Sequence, residues 1–224
     1  MIIDMEHGPT SFETAEEMIR AAESEDCTPL IRVGQNDELN ILKALDIGAH
    51  GILVPHVENL EHAQAAVSCA KYYPLGNRGF SPFTRAGGYG RLQVKEHALH
   101  ENEETLVGII LEGKTALENI EEILTMEQLD LIYIGAYDLS QAMGMPGQVD
   151  HVEVKKQLER CVRRIRSGGV AAGGYVAKNI DDIKWMTDIG MQFITCLPDV
   201  TMLLQAVHDE VSLFKKVINR AGGE

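Results

Sequence analysis

Cysteine, positive charge and long apolar runs are all scarce in this 224-residue chain, and each scarcity closes off a class of function. The four cysteines, Cys27, Cys69, Cys161 and Cys196, show no CxxC spacing, which argues against a zinc knuckle or a disulfide framework. They fit small buried hydrophobes in a reducing compartment, with the cytoplasm as the default. Lys and Arg number 20 against 34 Asp and Glu, a formal net charge of -14, so neither nucleic acid nor an anionic membrane surface is expected as a partner. No apolar run approaches the length of a bilayer span. There is no GxGxxG, no P-loop glycine-lysine motif and no serine-centred elbow, which disfavours dinucleotide, nucleotide and esterase chemistry. No lysine closes an apolar strand, so a Schiff-base nucleophile is not expected either.

What the chain does have is a composition of 45% hydrophobic and 24% charged residues, enough for one large core in a single domain spanning 1–224. Apolar runs of strand length recur at Ile2 to Met5, Leu30 to Val33, Gly51 to Val57, Leu106 to Leu111, Leu131 to Gly135, Val170 to Val176 and Gln192 to Leu197. They are nearly uninterrupted, as parallel strands covered on both faces are. Helical patterns lie between most of them: Leu39, Leu42 and Leu45 on one stripe, Leu60, Ala63, Val67 and Ala70 on another, and Leu203, Val207, Val211, Phe214 and Ile218 along a final helix over 199–219. The segments Leu45 to Leu53 and Thr187 to Ile194 repeat the same joint, a helix ending at glycine before a strand. The glycine- and proline-rich stretch 73–104 is expected to be a functional loop.

This alternation predicts an α/β fold. A doubly wound sheet and a (β/α)8 TIM barrel are both compatible with it. The barrel is favoured because polar groups fall at or just past successive strand ends: Glu6 and His7, then Arg32, His56, Glu112 and Asp138.

Glu112 and Asp138 each terminate an apolar strand. Two converging carboxylates repel unless a hard divalent ion neutralises them, though either acid could equally cap the following helix. Asp4, three residues before His7, could orient the imidazole as a general base; from spacing alone, the plainer reading is a hydrogen-bonded loop histidine beside a satisfied acid. Arg32 in a barrel mouth needs an anion, either a substrate oxygen or an internal partner such as Glu6 or Asp4. Arg78, in Gly76-Asn77-Arg78-Gly79, could clamp a substrate's acidic tail or serve solubility. His56 either lines the mouth or packs there. His97 and His100 lack a third ligand and read as a solvated helical turn.

In order and spacing, Ile3-Asp4-Met5-Glu6-His7-Gly8-Pro9, Pro29 to Val33, Leu45 to Pro55, Tyr73 to Gly79, Glu112 and Gly135-Ala136-Tyr137-Asp138-Leu139-Ser140 together resemble the HpcH/HpaI family of metal-dependent pyruvate aldolases. The resemblance runs essentially end to end. It implies that Glu112 and Asp138 bind a divalent metal, usually Mg2+, Mn2+ or Co2+. It also implies that Arg32 stabilises a pyruvate enolate, that His7 oriented by Asp4 moves a proton, and that backbone amides near Tyr137 and Asp138 hold the substrate carboxylate. Small 2-oxo acid and aldehyde substrates follow, as does a homo-oligomer, commonly a hexamer.

Against the family's pattern, Ile110 replaces the polar residue usual two positions before Glu112, and Tyr137 puts a large phenol before Asp138, so the acceptor pocket is expected to differ. The family also has a strand and helix before the segment matching Ile2. We therefore expect a barrel lacking its first strand and helix here, with the natural chain extending upstream or another element replacing them. The function expected is reversible cleavage of a 4-hydroxy-2-oxo acid to pyruvate and an aldehyde. The alternatives are a citrate-lyase-like or decarboxylating enzyme on the same barrel, or a truncated non-catalytic assembly subunit.

Overall fold

The computed structural model describes residues 1–221. Seven parallel strands follow one another in chain order, each hydrogen-bonded to the next: β1 (Ile2–Asp4), β2 (Leu30–Arg32), β3 (Gly51–Val54), β4 (Leu106–Leu111), β5 (Leu131–Ile134), β6 (Ala171–Ala177) and β7 (Phe193–Cys196). All seven expected strands are present. The sequential order excludes a doubly wound sheet, whose strand order reverses, and gives a curled α/β sheet. Among the described residues β1 and β7 do not pair with each other, so closure into eight strands is absent from this sheet.

The connecting helices are α1 (Phe12–Ser24), α2 (Glu38–Asp46), α3 (Leu60–Ala70), α4 (Val94–Glu104), α5 (Lys114–Glu118), α6 (Ile120–Ile123), α7 (Ala136–Ala142), α8 (Val152–Ser167), α9 (Ile180–Asp188) and α10 (Asp199–Ala221). Side-chain oxygens of Ser11, Asp37, Asn59 and Asn179 accept from first-turn amides and start α1, α2, α3 and α9. The repeated joint is real: Gly48 and Gly190 both take positive φ, and the amides after them, Ala49 and Met191, bond back to Ala44 and Met186. Only a residue without Cβ adopts that turn cheaply.

Two expectations need correction. Residues 94–104 of the presumed loop form the helix α4, whose buried residues are His97 and Asn102 rather than an apolar stripe. On α2, Leu39 is exposed and the buried face is Ile41, Ala44 and Leu45.

The strands sort their side chains by parity. Ile3, Ile31, Ile52, Val54, Ile109, Leu111, Ile132 and Ile134 point outward into the main hydrophobic cluster beneath the helices. Leu53, Ile110 and Leu131 point inward, with Ile2, Leu106, Tyr133 and Phe193 against them. Each fully buried aliphatic contributes about 1.5–3 kcal/mol, so the outer layer, with most of them, carries the fold. The inner layer is thin and leaves a cavity. No helix among the described residues is long and apolar enough to cross a membrane.

Candidate active site

The inward parity that places Ile2, Ile110 and Tyr133 inside the curl continues past the strand ends. It carries Asp4 and Arg32, paired in register at the ends of β1 and β2, and Glu112, just past β4, to the cavity rim. The cavity, about 2390 Å3, is larger than the roughly 300–1,000 Å3 of an enclosed small-molecule site because the mouth merges with the open side between β1 and β7.

Arg32 organises one side of the rim. Its Nε donates to Asp4 Oδ1 at 2.8 Å, its Nη2 to Asp4 Oδ2, and its Nη1 stands 3.2 Å from Glu6 Oε2. Asp4 also accepts from the backbone amides of Glu6 at 3.0 Å and His7 at 3.2 Å. Burial raises the Asp4 pKa, but the Arg32 hydrogen bond and these amides outweigh it and leave the carboxyl below its ordinary value. Arg32 is thereby held by internal acids, one of the two partners foreseen for it.

Asp4 does not touch the His7 imidazole. Its partners are the guanidinium and the chain's own amides, which shape the turn after β1. His7 is exposed, its Nε2 3.9 Å from Glu6 Oε2, so the expected Asp4–His7 orientation is corrected.

Opposite stands Glu112, just past β4. Burial pushes its pKa up; His56 opposes the rise, while Glu6 and Asp138 add to it. Asp138 sits in the first turn of α7, whose N-cap is Gly135 with no side-chain cap, and α5 likewise starts at the Gly113 N-cap, so neither acid caps a helix here. The two acids flank Gly135: a Cβ on that glycine would stand 3.0 Å from Asp138 Oδ2 and 3.4 Å from Glu112 Cγ. Tyr137 is exposed at the rim, and Ile110 lies one inward step below Glu112, buried against the inner cluster. Across the mouth, Tyr175 and Lys178 of β6 and its following residue donate to Asp150, the latter at 2.8 Å.

The residue that sequence reasoning undervalued is His56. Its Nδ1 lies 2.7 Å from Glu112 Oε2 and its Nε2 3.0 Å from Glu6 Oε1. Glu6, His56 and Glu112 each bring one possible ligand atom within 4.8 Å of the others, the one such trio among the described residues. The available signal was position, a histidine two residues past an apolar strand. Its backbone at φ 58 leaves no trace in the sequence.

Arg78 is not part of this site. Its side chain is fully buried, pairing with Asp46 at 3.0 Å and Glu101 at 3.5 Å, its guanidinium carbon 4.5 Å from the Tyr72 ring centroid. The loop folds back because Gly76 lets the chain pass close over α3; a Cβ there would meet Lys71 O at 2.4 Å. His97 packs against Tyr72 and Phe80 and is buried rather than solvated.

A curled parallel α/β sheet with acids, an imidazole and an arginine gathered at the carboxyl ends of its strands defines a barrel-type enzyme. The HpcH/HpaI aldolase/citrate lyase family model matches residues 1–206, and the chain belongs to that family. It is a lyase of the aldolase kind. It is 33% identical over 218 residues to the 2-keto-3-deoxy-L-rhamnonate aldolase of Salmonella gallinarum, covering 97% of this chain and 80% of that protein. The solved HpcH/HpaI aldolase from Desulfitobacterium hafniense matches with TM-score 0.89 and 28% identity, over 96% of this chain and 82% of that one. The citrate synthase SbnG matches with TM-score 0.87 and 28% identity, over 97% and 84%.

Proposed function

We propose that the chain forms the greater part of a (β/α)8 barrel, within a single domain over 1–224. In this reading it cleaves a 4-hydroxy-2-oxo acid to pyruvate and an aldehyde, reversibly, with a divalent metal held by Glu112 and Asp138. The observation that carries the reading is the pair of carboxylates around Gly135, where the missing Cβ leaves room between them. Burial raises the Glu112 pKa, with Glu6 and Asp138 adding to the rise and His56 and Arg32 opposing it, and a cation between the two carboxylates would offset that cost. The donor set is hard oxygen, which suits Mg2+, Mn2+ or Co2+. When bound, such an ion supplies Lewis-acid polarisation of the 2-oxo group.

The chain's own residues supply the rest. Arg32, permanently charged and locked in orientation by Asp4, offers a fixed cation to the oxygen that becomes negative as the C3–C4 bond breaks. First-turn amides around Tyr137 and Asp138 bind the substrate carboxylate. His7, free at the rim, takes the proton of the C4 hydroxyl; the C3–C4 electron pair moves onto the pyruvate fragment, the aldehyde departs, and C3 is protonated. Tyr137 and Ile110 shape the aldehyde side. The substrate named for the Salmonella relative, a 2-keto-3-deoxy acid, belongs to this class.

Exposed Leu203, Val207, Phe214 and Ile218 on α10 support a homo-oligomer that covers them. All four cysteines are free, in keeping with a cytoplasmic site. The test is pyruvate release from a 4-hydroxy-2-oxo acid in the presence of metal. Unchanged turnover in Glu112→Ala or Asp138→Ala would overturn the reading. A citrate-synthase-like reaction is the second reading, favoured by the match to SbnG; citrate formation without aldol cleavage would select it.

A further inference from the structure

We propose that Lys178 is a specificity residue on the aldehyde side of the site, and that its ammonium binds a carboxylate at the far end of the aldehyde. The preferred aldehyde is then an oxo acid rather than a neutral aldehyde. The inference rests on the aldolase reading above and names the class of its second substrate.

Local backbone strain brings this lysine to the cavity. β6 carries a register shift between Gly173 and Val176, with Gly174 at φ 141 and Tyr175 at φ 65, a value that a residue with a Cβ rarely takes. The bulge is pinned from both faces. On the bore side the Tyr175 carbonyl accepts from Thr195 Oγ1 at 2.7 Å and from the Tyr133 hydroxyl at 3.2 Å. On the helix side the Tyr175 ring packs edge-on against Trp185, ring centroids 5.4 Å apart, and its hydroxyl donates to Asp150. Strain held in place by its surroundings in this way gathers at functional sites. Lys178, just past the end of β6, lines the cavity together with Tyr137 and Asp138.

Asp150 holds the ammonium without saturating it. Lys178 Nζ donates to Asp150 Oδ2 at 2.8 Å, its one acceptor among the described residues, which leaves two of its three N–H groups for a ligand. Asp150 is itself shared, since hydrogen bonds from Lys178 and Tyr175 pull its carboxyl down to about 2. The neighbouring Lys155 is already committed. Its Nζ lies 3.6 Å from Asp150 and 3.7 Å from Asp182, and 4.7 Å from the Trp185 ring centroid. Arg32, the other strand-end cation at the mouth, is held by Asp4 and Glu6. Lys178, its side chain 39% exposed, is the cation that remains open to the cavity.

Place and charge then select the ligand. Tyr137, on the aldehyde side, stands close enough to Lys178 to add to the rise in its pKa that the Asp150 hydrogen bond produces. A tail reaching past Tyr137 therefore meets this ammonium. One ammonium with two free N–H groups matches a single carboxylate, whereas a phosphate dianion asks for more positive charge than remains once Lys155 is committed.

Aldol additions of pyruvate to 4-oxobutanoate and to butanal, which share a chain length, read the selectivity in the metal-loaded full chain. The wild type should favour 4-oxobutanoate by about 5-fold or more in kcat/KM, mostly through KM, because the contact lies away from the reacting atoms. Lys178→Met should bring the ratio of the two near one, Lys178→Glu should reverse it, and Lys178→Arg should retain it. Each ratio compares two substrates in one sample, so a loss of folded protein cancels. A wild type without the preference, or a ratio unmoved in Lys178→Met and Lys178→Glu, would overturn this inference and leave the aldolase reading standing. Condensation with neither aldehyde would sink both.

Discussion

Arg78 and Arg32 each stand between two carboxylates, yet the first is sealed inside the protein and the second faces a cavity. Around Arg78 the surroundings are closed: Asp46, Glu101, the Tyr72 ring and His97 leave no room for a ligand, and burial raises Asp46 even against its guanidinium partner. Around Arg32 the acids exceed the cation, with Asp4, Glu6 and Glu112 gathered near one arginine and Asp138 beside Glu112. Both clusters use the same residue types. The difference is charge balance and access, and it separates an anchor that ties a loop to α2 and α4 from a rim that can accept substrate and a further cation.

The largest effect should come from removing the acids that lack an internal cation. Glu112→Ala or Asp138→Ala should lower metal-dependent pyruvate release by about 1,000-fold or more, because several kcal/mol of charge stabilisation are lost, with the folding transition nearly unchanged. Swapping the arginines should then give opposite signatures. Arg78→Ala should destabilise by about 3–5 kcal/mol in urea unfolding, since it leaves two largely buried acids unpaired, while kcat of the folded fraction holds. Arg32→Lys should reduce kcat/KM by about 100-fold because lysine cannot keep the two-pronged geometry, with a smaller stability change. An Arg32→Lys enzyme of normal activity would erase the contrast.

Acid titration sharpens it further. Asp4 has a lowered pKa, so the native state gains from its ionised form above the ordinary 3.8 and loses that gain as pH falls through the lower native value. Asp46, raised by burial, has the opposite sign: its cost appears as pH rises past 3.8 through the higher native value. Asp4→Asn should therefore flatten the acid limb of a stability–pH curve. The smallest effect belongs to Tyr137→Ala. At 60% exposure it should change stability by no more than about 0.5 kcal/mol, while altering relative KM values among aldehydes.

The fold was legible wherever burial is periodic. Uninterrupted apolar runs located every strand, and the glycine joints at Gly48 and Gly190 marked two helix ends. It was not legible at α4, which buries a histidine and an asparagine and so shows no stripe, nor on α2, where Leu39 is exposed while Ile41 and Ala44 are buried. At the site, Glu112 and Arg32 could be read because each interrupts an apolar parity. Partners were harder. Asp4 precedes His7 by three residues but turns to Arg32 across the strand pair, and Arg78 looked loop-borne because its acids lie on distant helices. His56 joins Glu6 to Glu112 only through a left-handed backbone that no spacing rule predicts.

The central claim is that the acid-rich rim works through a divalent cation. Pyruvate release from a 4-hydroxy-2-oxo acid, followed in protein stripped by a chelator and again after Mn2+ is restored, tests it most directly. The account predicts loss of turnover on stripping and recovery on addition in the wild type, with no recovery in Glu112→Ala. Full turnover in the stripped protein would contradict it.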